Sequence, residues 1–168
     1  PLKPWHRECF ALAGLGAHLL RADEPVRCAT VASNSLVSHH VDSPTRFCRP
    51  VFDAMRFAVP RDPAAPEKLF LARRGFLRAL RNADAVEARL AQRGFAVAAP
   101  ETLSVADQIR LVSRARIIVG QTGAALANIA FAAPGTRVLE IMPTIRPDRW
   151  IRSTAAIFGH VWHVLLCS

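Results

Sequence analysis

The sequence predicts an α/β protein built on a Rossmann-like parallel sheet with helices on both faces. Two observations carry that expectation. From Lys68 onward, short apolar or β-branched runs alternate with segments of helical periodicity, separated by brief turns. Within this rhythm, Arg116 to Ile141 reads as strand, glycine loop, helix, Pro-Gly turn and second strand, which is one right-handed crossover of a parallel sheet.

Taken in order, residues 4–20 read as a helix ending near the glycines, and residues 26–31 as a strand. Residues 33–50, with Ser, Asn, Pro and the pair His39-His40, read as a long loop. A helix is expected over 49–59, beginning at Pro50 and stopped by Pro60. Residues 61–66, RDPAAP, read as a linker. Beyond it, strands are expected at 68–72, 95–98, 117–119 and 160–166, with helices over 82–93, from Ser104, and over about 148–158. Ala83, Val86 and Leu90 share one helical face; Val105, Ile109 and Val112 share another. Ser104 with Asp107 three residues on is an acidic form of the capping box.

At 168 residues, with 51% hydrophobic and 21% charged side chains, the chain is large enough for a real core and is not of disordered composition. It opens on Pro1 without an initiator methionine or a signal-like region, and is read as an excised or partial product. Residues 117–136 carry no charge, but Gln121, Asn128 and Pro134-Gly135 interrupt them, so a buried strand–helix pair is expected rather than a membrane span. The net charge of +9 comes almost entirely from arginine. Those arginines are scattered along the sequence without interleaved aromatics, so no nucleic-acid partner is expected. An anionic ligand or a negatively charged membrane surface suits the charge better. Cys9, Cys28, Cys48 and Cys167 have no C-x-x-C spacing and are read as reduced, mostly buried thiols. No metal site is expected: His160 and His163 would lie on opposite faces of a strand, and His39-His40 lack recognised partner ligands, remaining weak candidates for an acceptor contact.

The chemistry concentrates at the glycine loop. Gly120, Thr122, Gly123 and Ala124 lie where a strand's carboxyl end meets a helix's amino end, and free amides there suit a phosphate. Tight packing of the helix on the strand would call for the same small residues. Arg73, Arg74 and Arg78 follow the 68–72 strand and should project from the same sheet edge; a planar guanidinium fork suits a diphosphate, though surface arginines are commonly just solvated. Asn82 reads as a helix N-cap, Gln108 as a polar helix residue, and Asn128 as a tie between helices. Glu140 is expected to end a strand at the carboxyl edge, either accepting hydrogen bonds from ribose or sugar hydroxyls or sitting as a paired structural glutamate.

The pattern resembles a known family. G-x-x-G-A-x-L-x-N from Gly120, F-x-x-P-G-T from Phe131 and V-L-E-I-x-P from Val138 are similar to the C-terminal core of family 61 glycosyltransferases. Upstream, Arg73, Arg78 and Asn82 match R…R-x-x-x-N, Gly94-Phe95 matches G-F, and Pro100-Glu101-x-Leu103-Ser104 with Gln108 matches P-E-x-L-S…Q. These ordered anchors span roughly residues 68–145. The resemblance implies the C-terminal, donor-binding half of a two-domain GT-B enzyme. Residues 1–60 would then be a partial N-terminal or interdomain segment packed on the core, and 61–168 the nucleotide-sugar-binding domain. It also implies inverting transfer of a hexosyl or pentosyl group, in bacterial surface or capsular polysaccharide biosynthesis, without a cofactor or obligatory metal. The partners implied are a nucleotide-sugar donor and a glycan or lipid-linked glycan acceptor. The place implied is cytoplasmic, with peripheral association at the inner face of the inner membrane. Donor contacts fall on Arg73, Arg78, Asn82, Gln108, Gly120, Thr122, Gly123, Ala124, Asn128 and Glu140, and the catalytic base outside these residues. One departure is notable. The family pattern has a histidine before the second glycine where this chain has Thr122, so a catalytically silent nucleotide-binding relative is the alternative. A dinucleotide oxidoreductase fits less well, because G-Q-T-G-A-A lacks the third glycine position.

Overall fold

A computed structural model describes residues 2–19, 46–73, 80–144 and 149–167, with isolated positions 25, 27, 30 and 44. Five strands, β1 (Lys68–Leu71), β2 (Ala96–Ala98), β3 (Ile117–Gln121), β4 (Arg137–Pro143) and β5 (Val161–Cys167), form one sheet in the order β2-β1-β3-β4-β5. Every pairing is parallel. The central strands β1 and β3 are almost wholly apolar because both faces are covered, as parallel sheets require.

Handedness then fixes where the helices lie. The β1-to-β2 connection moves one way across the sheet, and its helix α3 (Ala83–Ala91) packs on one face with Phe70, Val119 and Ile141. The next three connections move the other way. They place α4 (Val105–Val112), a 3₁₀ helix (Ala124–Phe131) and α5 (Trp150–Phe158) on the opposite face. There Ile109, Val112, Leu126, Ile129 and Ile151 close over Leu69, Leu71, Ile118 and Val138, and this is the larger core. The helices α1 (Pro4–Leu12) and α2 (Arg49–Ala58) join the same core through Cys9, Leu12, Phe52 and Met55. The chain thus reverses direction between β1 and β3, the switch point at which doubly wound sheets leave a crevice at the strands' carboxyl ends.

Most expected elements are present with small boundary shifts. The N-terminal helix is shorter than expected: a turn at Ala13-Gly14 ends it, followed by a short 3₁₀ turn at Gly16–His18. Most of the expected strand at 26–31 and loop at 33–50 lies outside the described residues; the end of that loop, Arg46–Cys48, is a 3₁₀ turn leading into α2. The 61–66 segment is ordered rather than a loose tether. The Asp62 carboxylate accepts from the Ala64 amide at 2.8 Å, and Ala65 is buried. The segment after the glycine loop is 3₁₀ and not α-helical, and its Leu126 and Ile129 are fully buried in the larger core. Among the described residues, no helix is long and apolar enough to cross a membrane.

Candidate functional site

Arg73 emerges just past the carboxyl end of β1, where the Ala72 amide still donates to the Ala98 carbonyl of β2 at 2.7 Å. Its Nη1 donates to the Thr122 carbonyl at 2.8 Å, across the switch point from β1 to the end of β3. That approach depends on Gly123. Its backbone sits at φ 137°, ψ −173°, a region essentially confined to glycine. A Cβ there would also press into the Arg73 guanidinium, with Cζ at 3.1 Å. The sequence therefore places an arginine and a glycine turn against each other across 49 intervening positions.

Next to this pair lies a cavity of about 160 Å³, lined by Arg73, Pro100, Glu101, Gln108, Ala124 and Ala125. It draws on the carboxyl ends of β1, β2 and β3, the position that the switch-point rule assigns to a ligand. The first intrahelical bond of the 3₁₀ helix runs from the Leu126 amide to the Gly123 carbonyl. The amides of Ala124 and Ala125 precede it and lie at the amino end of the helix, where anions are favoured.

The wall behind is fixed by two amides. Asn128 Nδ2 donates to Gln108 Oε1 and to the Ala125 carbonyl, both at 3.0 Å, while Gln108 Nε2 donates to the Leu103 carbonyl at 3.2 Å. Gln108 and Asn128 thus bind α4 to the 3₁₀ helix, and Gln108 lines the cavity. The amino end of α4 is itself closed twice. Ser104 Oγ accepts from the Asp107 amide at 3.1 Å and donates to the Asp107 carboxylate at 2.7 Å. With the Arg110 guanidinium also donating to it, the Asp107 carboxyl is held below the usual carboxylate range, the Ser104 bond being the larger cause. From α1, the Glu8 carboxylate accepts from the Val105 and Ala106 amides at 2.9 and 2.8 Å.

Other expected residues lie elsewhere. Glu140 does not end its strand: β4 runs on to Pro143, and Glu140 is 0% exposed with its Oε2 accepting from Trp162 Nε1 at 3.0 Å. Its place is that of the paired structural glutamate, away from the cavity lining. Thr122 is 2% exposed, its amide donates to the Ile141 carbonyl at 2.9 Å, and its carbonyl accepts from Arg73, so it extends the sheet. Gly120 serves packing, since a Cβ there would meet Leu126 Cδ1 at 3.0 Å and Leu71 at 3.4 Å. Asn82 occupies the N-cap position of α3 without a side-chain cap bond and lines a separate apolar groove on the other sheet face. Arg74, Arg78 and His39-His40 lie outside the described residues. Of the two remaining histidines considered for metal, His163 is exposed. His160 Nε2 donates to the Ile129 carbonyl at 2.8 Å, and burial pushes its pKa down.

Two features escaped sequence reading. Glu101 lines the cavity although it was not singled out; its only signal was its place in the P-E-x-L-S pattern. The arginines, scattered in sequence, partly converge in space. Arg61, Arg114, Arg116 and Arg137 border one groove at the amino ends of β3 and β4, where Glu67 pairs with Arg114 and Arg116.

With this geometry in place, comparison with known families is decisive. Residues 5–139 match the family model described as Glycosyltransferase 61. The chain belongs to glycosyltransferase family 61. Comparison with curated proteins gives no match. The family 61 match begins within α1 and ends in β4, so it takes in the Glu8 contact, Arg73, the Gln108–Asn128 clamp and the Gly123 turn. As a glycosyltransferase, the protein has a sugar donor and an acceptor as its partners.

Proposed function

We propose that the cavity at the β1–β3 switch point holds the diphosphate of a nucleotide-sugar donor. The observation that carries this reading is the Arg73 guanidinium lying against the Gly123 turn at the carboxyl ends of two adjacent strands. In an inverting transfer, the acceptor oxygen attacks the anomeric carbon while the bond to the nucleoside diphosphate breaks, and the diphosphate gains negative charge. A guanidinium and amides already aimed at that position stabilise the transition state more than the bound donor. In this reading they meet the charge that a metal supplies in other enzymes, and Arg78 contributes a second guanidinium. Residues 61–168 then act as the donor domain of a GT-B enzyme. The helices α1 and α2 brace it, and the acceptor site and catalytic base come from outside this segment of the protein. A glycan or lipid-linked glycan of a bacterial surface polysaccharide is the acceptor class that the family 61 motifs favour.

Isothermal titration with uridine diphosphate tests the reading. Arg73→Ala and Arg78→Ala should each weaken binding by roughly tenfold or more, the loss expected for a charge-assisted hydrogen bond. Unchanged affinity in both variants would reject it.

The burial of Thr122 supports a second reading. At the place where the family pattern carries histidine, this chain presents no ring and no titratable group to the cleft. A relative that binds nucleotide without turning it over follows from that. Full donor affinity with no transfer to any acceptor by the intact protein would establish it, and measurable turnover would exclude it.

A further inference from the structure

Glu101 supplies the carboxylate among the six residues that line the switch-point cavity. It sits in the 3₁₀ turn Pro100–Thr102 directly after β2. That turn is rigid. Pro100 leads it, the Leu103 amide donates to the Pro100 carbonyl at 3.0 Å, and the Thr102 hydroxyl and amide both donate to the Ala99 carbonyl. β2 pairs directly with β1, so Glu101 follows the strand beside the one that Arg73 follows, and both side chains line the same cavity. Along the sheet edge the order is therefore carboxylate, guanidinium, amides.

An ionised carboxylate only accepts hydrogen bonds, whereas Arg73 and the amides of Ala124 and Ala125 only donate. Beside an anion site, an acceptor-only group repels phosphate and suits a part of the ligand that presents hydrogen-bond donors, of which hydroxyls are the ones flanking a diphosphate. In a nucleoside diphosphate sugar, the diphosphate is flanked by two sets of vicinal hydroxyls, those of the ribose and those of the transferred sugar. The transferred sugar has to remain open to the acceptor. Glu101, by contrast, shares a small cavity with Pro100, Gln108 and Ala125, which suits the part of the donor that does not react. We propose that Glu101 accepts hydrogen bonds from the ribose hydroxyls of the donor nucleotide and makes the site selective for ribonucleotides over 2′-deoxyribonucleotides. Sequence reading gave a hydroxyl-binding role to Glu140; the carboxylate placed for it is Glu101.

This inference rests on the donor-site reading, and one titration series separates the two. The intact protein is titrated with the ribo and 2′-deoxy forms of uridine, cytidine, adenosine and guanosine diphosphate. The wild type should favour the ribo form of whichever pair binds by roughly tenfold or more, the value of a hydrogen bond to a charged group. In Glu101→Gln that ratio should fall to a few-fold, because a neutral amide oxygen still accepts a hydrogen bond but a weaker one than a carboxylate. In Arg73→Ala both forms should weaken together with the ratio intact. A Glu101→Gln variant that keeps the wild-type ratio, or weakens both forms equally, overturns the role of Glu101 while leaving the donor site standing. A loss in Glu101→Gln seen only when the corresponding sugar-bearing nucleotides are titrated in parallel assigns the carboxylate to the transferred sugar and also overturns it. Failure of every nucleotide to bind the wild type removes the donor site and this inference together.

Discussion

Gly123 is the residue on which the site geometry turns. At φ 137° a side chain is strained by about 1–3 kcal/mol, and the added Cβ also displaces Arg73 from the Thr122 carbonyl. Gly123→Ala should lower the unfolding free energy by that amount and weaken nucleotide binding; a variant with wild-type stability and affinity would show that the close approach is unimportant. His160 offers a test that is independent of the ligand. Burial depresses its pKa most, Arg49 adds a smaller repelling charge, and the Nε2 bond to the Ile129 carbonyl offsets only part of this. The unfolded chain then takes up the proton more readily than the folded one. Stability is full above the ordinary histidine range near pH 6.5 and is lost as pH falls through and below it. The melting temperature should drop between pH 7.5 and pH 5, with a shallower slope in His160→Asn; equal slopes would remove His160 as the cause. The thiols show the same effect of burial without a functional consequence, since Cys9 and Cys48 are both pushed above the usual range.

At the scale of elements, α4 carries the cavity wall, and its amino end shows what a sequence can and cannot display. The Ser104–Asp107 cap is local, so its start was visible in the residues themselves. The Glu8 cap joins positions 97 and 98 apart and could not be seen until the chain was folded. Glu8→Ala should cost about 1–2 kcal/mol in urea unfolding, as for other lost caps at helix amino ends. A change below a few tenths of a kcal/mol would mean that water replaces the carboxylate. The strands and their order of use were legible because a parallel sheet buried on both faces demands short apolar runs. Glu140 misled for a related reason: a charge after Val138-Leu139 reads as the end of a strand, and only the Trp162 indole explains how it stays inside. The glycine loop was placed correctly, but its alanine-rich continuation favoured an α-helix by propensity. The segment is 3₁₀ instead, with Leu126 and Ile129 fully buried in the larger core.

On the scale of the whole molecule, the reversal between β1 and β3 brings segments remote in sequence to one edge. Arg73, Glu101, Gln108 and Ala124 become neighbours only through it. Family 61 membership and the α/β sheet agree with each other, and the account built on them stands or falls on whether that edge binds a nucleotide through Arg73. The most direct measurement is isothermal titration of uridine diphosphate into the wild type and Arg73→Ala. The account predicts saturable binding by the wild type and a loss of roughly tenfold or more in the variant. Equal affinity in a variant that remains folded would contradict it.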